Sequence, residues 1–262
     1  MSFVQQLFNL TGRVALVTGG SRGLGLQCAL ALGEMGAKIA ITARKPHELD
    51  AARELMGSRG IECFVMSSDL QDPTVAPKLV DAVLQEYGKI DILVNNAGAT
   101  WGAPAEKHPH EAWRKIMALN VDSLFYLSQE VANKSMIPNN HGKIINISSI
   151  AGLAGNPEGM NTIAYNTSKG AVMNFTRTLA GEWGKHNINV NTICPGFFPT
   201  KMTKGILENQ HFIDHVLQST PMRRLGTEND MMGTTVFLAS EASRHVTGQY
   251  IAVDGGVSAI SA

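Results

Sequence analysis

The feature that most constrains this chain is an alternation. Short, β-branched apolar runs at residues 14–18, 39–42, 63–66, 90–94, 143–147, 188–193 and 250–253 are separated by longer stretches with helical periodicity, among them 24–35, 73–87, 111–133, 164–183 and 228–238. The short runs are nearly continuous in apolar character, the pattern of strands covered on both faces. Strands recurring between helices join through right-handed βαβ crossovers. The expectation is an α/β fold: one doubly wound domain over residues 1–262, with a seven-stranded parallel sheet flanked by helices. Residues 197–224 break the rhythm, carrying Pro199 and Pro221 and following a strand. An insertion there lies at the carboxyl edge of the sheet, where ligands bind, so a helical substrate lid is expected. A helical hairpin that only pads the sheet is the other reading.

The first strand runs directly into Thr18-Gly19-Gly20-Ser21-Arg22-Gly23-Leu24-Gly25, and a helix follows. Glycines at 19, 23 and 25 let the backbone turn sharply, approach a pyrophosphate and pack helix on strand. With that strand before it and that helix after it, the loop points to a Rossmann-type dinucleotide site. The second strand ends Thr42-Ala43-Arg44-Lys45, with no carboxylate for the ribose hydroxyls of NAD. Arg44 and Arg22 are instead placed to clamp a 2′-phosphate, which points to NADP(H). Asp69, followed by Leu70, closes the third strand, either to accept from the adenine amino group or to cap a helix.

Lys+Arg and Asp+Glu are both 22, so the net charge is zero, and neither nucleic acid nor an anionic membrane is favoured as a partner. Three cysteines, Cys28, Cys63 and Cys194, with no CxxC pairing, suit a reducing compartment. There is no basic N-terminal leader and no apolar run approaching the ~20 residues of a membrane span. A cytoplasmic protein is expected. His211 with His215, and His108 with His110, lack carboxylate or cysteine partners at ligand spacing, so no metal is expected.

Tyr165 and Lys169 lie four residues apart on one face of a helix. Reducing a carbonyl by hydride leaves an alkoxide that must be protonated. A free tyrosine, with a pKa near ~10, exchanges protons poorly at neutral pH. The Lys169 ammonium would favour the phenolate and lower that pKa. Ser148 or Ser149, after the fifth strand, offers a hydroxyl to the substrate oxygen.

Together these motifs resemble the short-chain dehydrogenase/reductase superfamily over nearly the whole chain. The run comprises the glycine loop, Asn95-Asn96-Ala97-Gly98, Asn120, Ser149, Tyr165-xxx-Lys169 and Pro195-Gly196, in order. The resemblance implies an Asn120–Ser149–Tyr165–Lys169 tetrad. In it Ser149 polarises the carbonyl, Lys169 also holds the nicotinamide ribose, and Asn120 holds a water linking the lysine to solvent. It places Asn96, Ala97, Gly98, Pro195, Gly196, Phe198 and Thr200 beside the cofactor, and it implies a homotetramer. A stretch longer than in many relatives between Ser149 and Tyr165 is expected to bulge at residues 156–161.

The candidate substrate pocket consists of Trp101, Leu153, Met160, Phe197 and Met202, an apolar set with no arginine for a carboxylate. Trp101 could equally pack only within its loop. The apolar set favours an acyl chain or another lipophilic ketone. The chain resembles 3-oxoacyl reductases, with which it shares Asn-Asn-Ala-Gly-x-x-Trp-Gly. Sugar-acid (gluconate-type) or steroid dehydrogenation is the alternative within the family. A non-catalytic NADP(H)-binding regulator is the alternative outside enzymes, and the intact tetrad argues against it.

Overall fold

The computed structural model describes residues 2–156 and 159–260. The strands are β1 (Val14–Thr18), β2 (Lys38–Ala43), β3 (Cys63–Ser67), β4 (Ile92–Asn95), β5 (Gly142–Ile147), β6 (Ile188–Pro195) and β7 (Tyr250–Val253). They form one seven-stranded sheet in the order β3-β2-β1-β4-β5-β6-β7, and every pairing is parallel. Val17 is in register with Ile41 on one side and Val94 on the other, so the strands at the centre are flush. β1, β4, β5 and β6 are buried along their whole length, polar Lys143, Asn146, Asn189 and Asn191 included, whereas the edge strands β3 and β7 are only half-covered.

The helices are α1 (Phe3–Leu7), α2 (Gly23–Glu34), α3 (Pro46–Ser58), α4 (Val75–Tyr87), α5 (His110–Met117), α6 (Ser123–Val131), α7 (Ile163–Trp183), α8 (Gln210–Ser219) and α9 (Met232–Ala239). One core packs Cys28 and Leu32 of α2, Leu49 and Met56 of α3 and Leu238 of α9 against one sheet face. The other packs Leu79 and Val83 of α4, Leu127 and Val131 of α6 and Leu179 of α7 against the opposite face. Among the described residues, no helix is long and apolar enough to cross a membrane.

Three local features depart from the sequence reading. The stretch 111–133 is not one regular helix, because π-helical turns at Ala118–Asp122 and Ala132–Met136 interrupt it. The first of these carries Asn120. The helix expected at 228–238 begins only at Met232, since Asp230 caps a turn through Thr227 N (2.7 Å) and pairs with Arg224 (2.6 Å). In the expected lid, residues 200–208 form turns and α8 follows, with Asn209 accepting from Phe212 N at its start (3.3 Å), so the segment holds one helix and not a hairpin.

Candidate active site

Strand order reverses between β1 and β4, and their diverging connections open a crevice at the carboxyl edge of the sheet. A cavity of about 570 Å³ lies there. Gly19, Ser21, Arg22, Gly23, Leu24, Gly25, Arg44, Asp69, Leu70, Asn96, Ala97, Gly98, Ser149, Tyr165, Lys169, Pro195, Gly196, Phe198 and Thr200 all line it.

The floor is built by close approach. A methyl group at Gly25 would lie 2.3 Å from the Gly19 carbonyl oxygen and 2.4 Å from Asn96 Nδ2, so the start of α2 sits directly on the loop. Gly19 itself has φ +63°, a left-handed conformation that favours glycine. Thr18 staples the two sides of the crevice: its hydroxyl accepts from Asn96 N and Ala97 N, both at 2.9 Å. Asn96 returns the contact by donating to the Thr18 carbonyl (2.8 Å).

The cavity suits a dinucleotide on its own evidence. The hydroxyls of Thr42 and Ser68 are buried, line the cavity and find no partner among the described residues. Buried polar atoms of this kind are normally satisfied, and a polar ligand such as adenosine would supply the partners. The Arg44 side chain makes no ion pair or hydrogen bond among the described residues and lies at the same end. Asp69 accepts from Gln71 N (3.2 Å), which makes it a turn-capping group that also faces the cavity.

At the other end, β5 leads into Ser148 and Ser149, and α7 presents Tyr165 and Lys169. The two serines are separated by their bonds. Ser148 donates to the Lys169 carbonyl (2.8 Å) and ties β5 to α7. Ser149 Oγ accepts from Ala151 N (3.1 Å), which leaves its proton free to donate into the cavity. Gly152, which the sequence reading did not single out, permits this packing: a methyl group there would meet the Lys169 carbonyl carbon at 2.7 Å. Lys169 Nζ donates to the Ile147 carbonyl (2.7 Å) and stands 5.6 Å from the Tyr165 ring centre.

Asn120 donates to the Ala99 carbonyl (3.0 Å) and the Ser168 hydroxyl (2.9 Å) and accepts from Ala99 N (2.9 Å). Both amide protons are therefore committed to fixing the loop after β4 against α7. A methyl group at Gly98 would lie 3.3 Å from Asn120 Oδ1 and 3.6 Å from Lys169 Nζ. Asn120 thus sits beside the lysine as a structural tie.

The electrostatics differ from the sequence expectation. Burial pushes the Tyr165 phenol upward, with the neighbouring Ser149 hydroxyl acting the other way, and Lys169 does not offset it. Burial also lowers Lys169 from the usual 10.5 to about 8. Both shifts run toward the neutral form because both side chains are buried. For Lys169, the unfolded chain binds more protons than the folded one between pH ~8 and ~10.5, so this lysine adds stability as pH rises through that window. Chemical denaturation is expected to show Lys169→Met ahead of wild type by roughly 2–3 kcal/mol more at pH 7.5 than at pH 10.5. A pH-independent difference would contradict the buried-lysine assignment.

The substrate set is only partly assembled. Met202 lines the cavity, but Trp101, Leu153, Met160 and Phe197 do not. Phe197 packs edge-on against Phe212 of α8, with centroids 5.5 Å apart, and lines a neighbouring cavity. Trp101 is 52 % exposed on an irregular loop. The expected bulge at 156–161 includes residues 157 and 158, which lie outside the described residues. Around it Asn156 donates to Met160 O (2.9 Å), Thr162 Oγ1 (2.7 Å) and Asn166 Oδ1 (3.0 Å), clasping the stretch onto the start of α7. The sequence reading also missed Glu48 and Lys201, which line the cavity from α3 and from the turns after β6. An acid in the first turn of the helix after Arg44 and Lys45 is the one signal that pointed to Glu48.

A family model described as enoyl-(acyl carrier protein) reductase matches residues 19–258. A 2-dehydro-3-deoxy-D-gluconate 5-dehydrogenase of Dickeya dadantii is 41 % identical over 95 % of this chain and 96 % of its own. A rhamnolipid-biosynthesis 3-oxoacyl-[acyl-carrier-protein] reductase of Pseudomonas aeruginosa is 38 % identical over 95 % and 97 %. A gluconate 5-dehydrogenase of Burkholderia cenocepacia, solved in complex with NADP and tartrate, superposes with a TM-score of 0.93 at 34 % identity, covering 98 % of this chain and 100 % of that one. The chain belongs to the short-chain dehydrogenase/reductase superfamily. It is an oxidoreductase of the class that interconverts secondary alcohols and carbonyls.

Proposed function

We propose that this protein is an NADP(H)-dependent dehydrogenase/reductase acting on a sugar acid of the gluconate type. NADP(H) fits the glycine loop, the Arg22 and Arg44 guanidiniums and the unsatisfied hydroxyls of Thr42 and Ser68. When bound, it supplies or accepts the hydride. The chain's own residues handle the proton: Tyr165 donates it to the carbonyl oxygen in reduction and takes it from the hydroxyl in oxidation. Ser149 donates a hydrogen bond to the same oxygen, stabilising charge as it develops there. Lys169, held by the Ile147 carbonyl, would bind the nicotinamide ribose, while Asn120 fixes the loop that faces it.

The observation that carries the substrate class is end-to-end similarity to sugar-acid dehydrogenases, at 41 % identity for the Dickeya dadantii relative and 34 % for the Burkholderia cenocepacia structure. A second reading, a lipophilic 3-oxoacyl reductase, is favoured by the side chains at the mouth. Met202 is 49 % exposed in the cavity wall, and Ala103 N bonds the Asn161 carbonyl, joining the Trp101 loop to the segment that leads into exposed Ile163. The Pseudomonas aeruginosa relative supports the same reading.

The two separate on kcat/KM. NADPH consumption is expected to run at least about 10-fold faster with 5-keto-gluconate than with a β-ketoacyl thioester, a difference of about 1.4 kcal/mol in transition-state binding. The reverse order selects the 3-oxoacyl reading. The proposed assembly is a homotetramer, to which the exposed Phe125 and Tyr126 of α6 and Tyr250 of β7 would contribute apolar contacts.

A further inference from the structure

The Glu48 carboxylate lies among cations drawn from three separate elements. Arg22 Nη1, at the start of α2, reaches both of its oxygens, at 2.6 and 2.7 Å. Lys45, capping the start of α3, is 3.5 Å away, and Lys201, in the turns after β6, is 3.9 Å away. All of these residues line the dinucleotide cavity, as does Arg44, which has no anionic partner among the described residues. A carboxylate therefore already stands where the positive charge suited to a 2′-phosphate is concentrated.

We infer that Glu48 is a built-in competitor for the 2′-phosphate of NADP(H): it occupies Arg22 until the phosphate displaces it, and so sets how strongly the protein prefers NADP(H) over NAD(H). The inference rests on the NADP(H) reading above. The chemistry follows from charge. A phosphate entering this cluster must take Arg22 from a group of the same sign, and Glu48, left with its longer contacts to Lys45 and Lys201, then stands as a like charge close to it. A cofactor with only a ribose hydroxyl at that position makes no such demand. It leaves the Arg22–Glu48 pair intact, and it can donate its hydroxyl to the carboxylate. Glu48 thus weakens one cofactor and leaves the other untouched or helped.

The pair is well placed to be displaced and not merely structural. Arg22 is 47 % exposed, so the ion pair is screened and contributes little to the fold. Burial alone would raise Glu48, but Arg22, Lys45 and Lys201 outweigh it and hold the acid below its ordinary value. The competitor stays charged at neutral pH. Lys201 adds a geometric consequence, because its contact with Glu48 links the segment after β6 to α3 across the cavity wall. Freeing Glu48 from Arg22 leaves Lys45 and Lys201 to receive it.

The test is equilibrium binding to the full-length protein, wild type and Glu48→Gln. NADPH and NADH are titrated by nicotinamide fluorescence, and 2′,5′-ADP and 5′-AMP by calorimetry. Glu48→Gln is expected to bind NADPH and 2′,5′-ADP about 3- to 10-fold more tightly, the scale of an exposed charge pair, while NADH and 5′-AMP stay unchanged or weaken. Glu48→Asp, with a shorter reach to Arg22, should fall between them. Unchanged binding of 2′,5′-ADP overturns the proposal, showing that the phosphate lies away from Glu48. Weaker binding overturns it too, showing that Glu48 aligns Arg22 for the phosphate. Failure of the cofactor reading is distinguishable: wild type would then bind NADPH no better than NADH, whatever Glu48→Gln does. Matching thermal melts of the cofactor-free proteins would confirm that the substitution leaves the fold alone.

Discussion

Replacing Tyr165 with phenylalanine is expected to lower turnover by about 10²- to 10⁴-fold, the range that a positioned general acid contributes, while NADPH binding stays within about twofold of wild type. The variant removes one oxygen and leaves the ring that packs beside Lys169. The glycine loop, Arg22 and Arg44 lie at the far end of the cavity and keep their contacts. Fluorescence titration with NADPH and steady-state turnover at saturating ketone separate the two effects. Turnover near wild type would move the proton donor elsewhere, with Ser149 as the next hydroxyl in the cavity.

The acid assignment also fixes a direction in pH. Burial raises Tyr165, so at neutral pH it stands as the phenol and is ready to protonate a carbonyl oxygen. Reduction therefore begins with its acid in the right form. Oxidation needs phenolate, whose population grows with pH, so the oxidative rate is expected to climb on the alkaline side. Lys169, lowered by burial to about 8, also loses its charge on the alkaline side.

What was readable from sequence follows a physical division. The glycine loop was legible because a methyl group at Gly25 collides with the Gly19 backbone, and a backbone requirement restricts residue type at a fixed spacing. The strands were legible because burial on both faces demands continuous apolar runs. Tyr165 and Lys169 were legible as a helix-face pair. The choice between Ser148 and Ser149 followed there only from family resemblance; the folded backbone separates them by turning one hydroxyl to the Lys169 carbonyl and the other to the cavity.

Other features were hidden for reasons of the same kind. Glu48 meets Arg22 across a separation of 26 residues, and no local pattern announces such a contact. The π-helical turn at Ala118–Asp122 carries the same apolar spacing as a regular helix, so periodicity read straight through it. Of the substrate set only Met202 lines the cavity, because side-chain direction on an irregular loop follows from tertiary contacts. Phe197 turned to Phe212, and Trp101 stayed half in solvent. The direction for Tyr165 differs from the sequence expectation because helix spacing reports the charge nearby but not burial, and burial is the larger effect here.

The second large effect is expected from Gly25→Ala. The new methyl would fall 2.3 Å from the Gly19 carbonyl oxygen and 2.4 Å from Asn96 Nδ2. Neither neighbour can yield cheaply. The first is backbone in the loop itself, and the second is held by bonds to the Thr18 and Gly19 carbonyls at 2.8 and 3.3 Å. The loop must therefore lift from α2 by about an ångström to reach ordinary contact distance. That displacement moves the amides meant for the pyrophosphate and loosens the Thr18–Asn96 staple, so NADPH affinity should fall by about 10²-fold and stability by about 1–3 kcal/mol. Gly57→Ala supplies the control: a methyl there meets nothing within 4 Å on α3, and alanine in a helix should add about 0.4–1 kcal/mol. NADPH titration and thermal melts of both variants test the pair. Wild-type affinity in Gly25→Ala would mean that the loop has slack, and that its glycines are not what brings the backbone to the cofactor.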